Sequence, residues 1–261
     1  MNPSTTPPST THPLAFITGG SRGLGRASAL HLARAGWDII LSYRSREDLA
    51  REVVTEIQAL GRKAAALPLD TRRTAGFPAL AASLPGLLHD TFGRDRLDAL
   101  VNNAGTGADA AFLDTTEAQF DQMMNEHLKG VFFLTQALAP MLADGARILN
   151  VSSGLTRFSF PGKAAYAVMK GGVEVLTRYL AKELGPRGIR ANVLAPGAIA
   201  TDFGGGIVRD DPQVGAAIAG STALGRVGEA DDIGGAVAAL LAPGSAWING
   251  QRIEASGGML L

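Results

Sequence analysis

Cysteine is absent from the 261 residues, so neither a disulfide nor a thiolate metal site can exist in this chain. An excess of one charge is missing too: 24 Lys and Arg offset 24 Asp and Glu, leaving nothing to draw nucleic acid or an anionic membrane surface. No apolar run approaches the roughly 18 residues of a membrane span. A basic start followed by an apolar stretch, the mark of a secretory leader, is lacking as well. Residues 1–13 are instead rich in Thr, Ser and Pro, and are expected to form a disordered tail. No internal repeat or linker divides the remainder of the chain. These absences point to a soluble protein of the cytoplasm with one domain over 14–261, no metal, no nucleic-acid partner and no membrane.

What is present is an alternation. Hydrophobic residues make up 46%, enough for a sizeable core. Short apolar runs at 14–18, 38–43, 64–69, 97–101, 147–151, 189–194 and 252–254 read as buried parallel strands. Stretches of helical period lie between them, at 23–35, 46–60, 117–142, 164–184 and 231–241. The segment 71–93, interrupted by Gly76, Pro78, Pro85 and Gly86, is expected to be a broken helix. Alternation of this kind predicts an α/β fold, one doubly wound Rossmann-type sheet of about seven parallel strands with helices on both faces. The Gly-rich stretch 198–222 lacks clear period and is expected to be a long irregular loop covering the carboxyl ends of the strands, as a lid.

Thr18-Gly19-Gly20-Ser21-Arg22-Gly23-Leu24-Gly25 follows the first strand and opens the first helix. Glycines let backbone approach a pyrophosphate, and a helix N-terminus offers N–H groups and a positive dipole end. Gly19, Ser21, Arg22, Gly23, Leu24 and Gly25 are therefore cofactor candidates. The second strand ends at Tyr43-Arg44-Ser45, where an NAD site usually places an acid for the ribose hydroxyls. Arg22 and Arg44 suit a 2′-phosphate instead, so NADP(H) is the expected cofactor.

Tyr166 and Lys170 stand four residues apart on a predicted helix and share a face. A cation beside a phenol favours phenolate, so the pair can donate a proton to a forming alkoxide and take it back in oxidation. Ser152 or Ser153, at the end of the fifth strand, can hold the substrate oxygen with its hydroxyl.

Taken in order, Thr18-Gly19-x-x-x-Gly23-x-Gly25, Asp70, Asn102-Asn103-Ala104-Gly105, Ser153, Tyr166-x-x-x-Lys170, Pro196-Gly197-x-Ile199-x-Thr201 and Trp247-Ile248-Asn249-Gly250-Gln251 resemble the short-chain dehydrogenase/reductase family, in its shorter branch. The resemblance covers nearly all of 14–261. It implies a hydride exchange between NADP(H) and a ketone or secondary alcohol, with Ser153, Tyr166 and Lys170 catalytic; the family's thirteen-residue spacing to Tyr166 selects Ser153 over Ser152. It also implies Asp70 and Thr71 near the adenine, Asn103, Ala104 and Gly105 against the cofactor, and Pro196, Gly197, Ile199 and Thr201 by the nicotinamide. Lys170 would hold the ribose hydroxyls. Members of this branch are commonly tetramers, so a homotetramer is expected. One departure stands out: where many members carry Asn before Leu in the long helix, this chain has His127, either a packing residue or a working member of the proton relay, since an imidazole titrates near pH 6.5 and could hold the same water or pass the proton itself.

Leu155, Phe158, Phe160 and Phe203, with Phe112, Ile207 and Val208, are candidates for an apolar pocket that takes a small hydrophobic ketone. The family also holds 3-oxoacyl-carrier-protein reductases, which tend to carry basic residues just before the fifth strand. Residues 141–147 are nearly uncharged here, so that reading ranks second. A noncatalytic NADPH sensor ranks third, because Ser, Tyr and Lys are all retained.

Overall fold

Short runs in which nearly every side chain is buried become the middle of the sheet, since parallel strands covered on both faces have no solvent side. The computed structural model describes residues 12–107 and 109–261, so the segment expected at 1–13 lies almost wholly outside the described residues. Its strands are β1 (Leu14–Ile17), β2 (Asp38–Tyr43), β3 (Ala64–Pro68), β4 (Leu97–Asn102), β5 (Leu142–Val151), β6 (Arg190–Pro196) and β7 (Arg252–Ala255). They form one parallel sheet in the order β3-β2-β1-β4-β5-β6-β7.

One face is covered by α1 (Gly23–Arg34), α2 (Glu47–Ala59) and, from the far end of the chain, α9 (Ala230–Leu241). Leu30, Val53, Ile57, Ile233 and Val237 pack there on Ile17, Ile39 and Leu41. The other face carries α3 (Phe77–Leu87), α4 (Glu117–Met124), α5 (Gly130–Leu138) and α6 (Ala164–Glu183). Phe77, Leu84, Leu134 and Leu138 seal Phe16, Ile40, Leu100 and Ile148. Strand order reverses between β1 and β4, which opens a crevice beyond their carboxyl ends.

Two expectations need correction, and the broken helix over 71–93 is refined. The helix foreseen over 117–142 is not one α-helix: a π-turn, Asn125–Lys129, separates α4 from α5, and a 3-10 turn at Ala139–Met141 closes it. Pro140 cannot continue the hydrogen-bond ladder, and Leu142 already starts β5, five residues ahead of the expected strand. A register irregularity between Leu97 and Ala99 and the positive φ of Gly145 accommodate that early start. In 71–93 the break is soft: α3 passes through Pro85 and widens into a π-turn, Leu88–Phe92. The stretch 198–222 is not irregular, since it holds a 3-10 turn at Phe203–Gly206, α7 (Ile207–Asp210) and α8 (Pro212–Gly220). Asp211 caps α8 by accepting from the amides of Gln213 and Val214, and Pro212 takes the first helical position, where its missing N–H costs nothing.

Candidate active site

At Gly19 and Gly25 the glycine loop leaves no room for a side chain. A Cβ at Gly25 would lie 2.2 Å from the Gly19 carbonyl oxygen, and Gly19, at φ +65°, would meet Ala104 Cα at 2.9 Å. Thr18 ties the loop to the β4 end: its hydroxyl accepts from the amides of Asn103 (3.0 Å) and Ala104 (2.9 Å). Asn103 in turn donates to the carbonyls of Thr18 and Gly19. No side chain caps the α1 N-terminus, so its first amides and its dipole face the crevice. This bare backbone cradle fits a dinucleotide pyrophosphate.

One cavity of about 1040 Å³ runs from this loop to the far side of the crevice. Its wall includes Gly19, Ser21, Arg22, Gly23 and Leu24, then Tyr43, Arg44 and Ser45, then Thr71, Asn103, Ala104 and Gly105. Pro196, Gly197, Ile199 and Thr201 line it from the β6 end. Asp70 does not: its carboxylate is held in a two-pronged pair by Arg72 at 2.8 and 2.7 Å, which pulls its pKa down. Gly25 lies behind the wall and acts through its lack of a Cβ.

Ser153, Tyr166, Lys170 and His127 meet in the same cavity. Ser153 Oγ accepts the Leu155 amide at 3.2 Å, which leaves its proton for an incoming oxygen. Lys170 Nζ donates to the Val151 carbonyl at 2.7 Å and lies 5.5 Å from the Tyr166 ring centre. Burial lowers the Lys170 pKa to about 8, with Glu126 opposing. The Tyr166 phenol is pushed up by burial, against the pull of the Ser153 hydroxyl, rather than lowered by Lys170 as the sequence suggested.

His127 is fully buried, edge-on to Tyr166 at 5.0 Å between ring centres. Its Nε2 lies 2.8 Å from the Thr106 carbonyl. A carbonyl only accepts, so Nε2 carries the proton and Nδ1 is a bare acceptor, buried and without a protein partner. Burial, then the charge of Lys170, drive the imidazole pKa down to about 3. The expectation of titration near neutrality is thereby overturned: the ring is neutral wherever the protein would work.

Part of the remaining wall is apolar. Leu155, Phe158, Phe160 and Phe203 all line it, with Ile207, Val208, Ile218 and Met259. Phe203 leans on Tyr166 at 5.8 Å, and Phe158 meets Phe160 edge-on at 5.7 Å. Phe112 is not part of it, being 78% exposed on a turn outside. Sequence reasoning missed Glu126, a buried carboxylate on the cavity wall that accepts from the Thr106 hydroxyl at 2.7 Å. Asn102 is structural, donating to Thr135 Oγ1 and Asn150 Oδ1 beneath the sheet end. Among the described residues no group of His, Asp and Glu could hold a metal, and no helix is long and apolar enough to cross a membrane.

A doubly wound sheet, a bare glycine cradle and a Ser-Tyr-Lys cluster beyond the strand ends define a dinucleotide-dependent oxidoreductase. A family model described as enoyl-(acyl carrier protein) reductase matches residues 19–260, and the chain belongs to the short-chain dehydrogenase/reductase family. An uncharacterized oxidoreductase of Methylorubrum extorquens is 37% identical over 248 residues, covering 94% of this chain and 97% of the relative. The solved structure of LugOII, a promiscuous reductase that catalyses keto-reduction at C1 during lugdunomycin biosynthesis, is 39% identical with a TM-score of 0.90, over 96% of this chain and 99% of that one. LanV, an angucycline C-6 ketoreductase solved with bound NADP, is 35% identical with a TM-score of 0.90 over 96% of each chain. A second LanV structure holds NADP and rabelomycin.

Proposed function

We propose that this chain is an NADPH-dependent ketoreductase that acts on hydrophobic, fused-ring ketones. One observation carries the reading: Ser153, Tyr166 and Lys170 face an aromatic wall inside the cavity that begins at the glycine cradle. That cavity reaches the upper end of the ~300–1,000 Å³ range of ligand sites, as expected where cofactor and substrate meet. The cofactor is NADP(H). Arg22 and Arg44 line the ribose end and no acid closes β2, and the LanV structures hold NADP.

Bound NADPH supplies the hydride that reduces the carbonyl carbon. The chain's part is to hold the ketone oxygen between the Ser153 and Tyr166 hydroxyls and to give it the phenolic proton. Lys170, on the next turn of α6, stabilises the phenolate left behind. His127 Nδ1, as a neutral acceptor, holds the water or hydroxyl that returns a proton toward Lys170. Phe158, Phe160 and Phe203 suit flat rings, and the ketoreductases LugOII and LanV are consistent with such substrates. Lys163, the lysine on the wall besides Lys170, is paired with Asp109, so it offers a strongly anionic ketone no free counter-charge. A carrier-linked substrate finds no basic patch in 141–147: Arg147, within β5, is half-buried and lies over the Trp37 ring.

The test is a panel of 1-tetralone, larger fused-ring ketones, cyclohexanone, sugars and an acetoacetyl thioester, followed by loss of NADPH absorbance. Fused-ring ketones should give the highest kcat/KM, and NADPH should outperform NADH. Preference for the thioester, or no ketone turnover at all, would overturn the reading.

A further inference from the structure

Arg157 stands four residues after the catalytic serine, and it is joined to the other end of the chain. Its guanidinium grips Glu254 of β7 with Nε and Nη2, both at 2.8 Å. The same group donates from Nη1 to the Leu260 carbonyl at 3.0 Å and from Nη2 to the Met259 carbonyl. It also lies over the Phe158 ring, 5.3 Å from its centre. Met259 and Phe158 are both cavity wall.

The segment after β7 is in turn the anchor of the lid. Leu260 donates its amide to the Ser221 carbonyl at 2.9 Å, and the amides of Ala223 and Leu224 donate to the carbonyls of Gly258 and Gly257. Residues 221–224 directly follow α8, whose Val214, Ala217 and Ile218 line the cavity from above. Gly204, Gly205 and Gly206, all at positive φ, precede α7 at the near end of the lid. The lid therefore has a pliant glycine end and an end tied to 257–260. Leu260 itself sits at φ +53°, a left-handed conformation that a leucine adopts only when its surroundings impose it.

The tie is well supported from behind. Glu254 also accepts from Arg252 (3.0 Å) and Ser256 (2.7 Å), and Arg157 with these partners draws its pKa down to about 2, so it stays ionised. Arg252 continues to Glu174, which takes the hydroxyls of Ser152 (2.8 Å) and Thr156 (2.7 Å) on either side of Ser153. One charge network thus spans α6, the serine loop and β7.

We infer that Arg157 is a positioning residue for the ketone pocket: by clamping residues 257–260 to the serine loop it fixes Met259 and the anchored end of the lid, and so sets which ketones fit. This rests on the ketoreductase reading for its substrate, but not for its structural half. A lysine at 157 keeps the charge yet cannot fork onto Glu254 and reach two carbonyls together.

Two readouts test it, on the full chain. Amide hydrogen exchange needs no turnover: Arg157→Met should speed exchange at Ala223, Leu224 and Leu260 by about tenfold or more, leave β1 and β4 unchanged, and Arg157→Lys should fall between. With ketones, Arg157→Met should lower the ratio of kcat/KM for 1-tetralone over cyclohexanone by about tenfold, chiefly through KM. Met259→Ala should then add little to Arg157→Met, because both act on one wall. Unchanged exchange at 223, 224 and 260 would overturn the clamp. Faster exchange with an unaltered ketone ratio, or strict additivity with Met259→Ala, would overturn its role in selection.

Discussion

A neutral imidazole buried beside a lysine behaves unlike the same residue in water. His127 spends its Nε2 proton on Thr106 and keeps Nδ1 as an acceptor, so it cannot shuttle a proton by titrating. His127→Ala should cut turnover by about tenfold with NADPH affinity little changed, and His127→Asn, which offers an amide oxygen, should restore most of it. No limb of the pH–rate profile between pH 5 and 9 should move with His127. Stability responds instead: the folded pKa of about 3 lies below the unfolded value near 6.5, so the unfolded chain takes up the extra proton between them. Wild-type stability should fall as pH drops from about 6.5 toward 3, and His127→Ala should lose part of that slope in urea titrations at stepped pH. The position of His127 was legible from its departure from the motif, but its tautomer and charge were not. Those depend on Thr106, twenty-one residues away, whose carbonyl only the fold brings near. Tyr166 and Lys170 were legible from helix spacing, and Ser153 from its strand end together with the family's spacing to Tyr166, which set it apart from Ser152. Glu126 and Arg157 were not, because their partners are distant in sequence.

Among the elements, the strands were readable wherever burial on both faces made a continuous apolar run, as at β1, β2 and β4. Only the second half of β5 was, because its first half, with Ala143, Asp144 and Gly145, is partly solvated and its register with β4 is irregular. The lid helices escaped notice because α8 is short and glycine-flanked, although Asp211-Pro212 was a start signal in plain view. The glycine loop, by contrast, carries its geometry in its composition. Gly25→Ala should destabilise the chain by about 1–3 kcal/mol in urea unfolding, because the new methyl meets the Gly19 carbonyl in a tightly packed turn. Weaker NADPH binding should accompany it. Arg44→Asp at the end of β2 should raise the KM for NADPH far more than that for NADH. Equal use of both cofactors by the wild-type chain would contradict a 2′-phosphate site built on Arg22 and Arg44.

At the scale of the whole molecule, several large apolar side chains are exposed. Phe132 and Phe133 on α5, Val168, Val175 and Tyr179 on α6, and Trp247 before β7 are all at least two-fifths exposed, and Trp247 is 99% exposed. Exposed apolar patches mark association surfaces. We propose a homotetramer built on them, and sedimentation velocity should show one species of four chains; a monomer independent of concentration would contradict it. Proton donation in the crevice is the step on which the proposed activity turns, and Tyr166→Phe addresses it most directly. The variant keeps the ring that packs against His127 and Phe203 and loses only the hydroxyl. With 1-tetralone, fold and NADPH affinity should be retained while kcat falls by about 10²-fold or more. Retention of, say, about a third of the wild-type rate would show that Tyr166 is not the proton donor and would contradict the proposed chemistry, since such groups contribute about 10²–10⁴-fold.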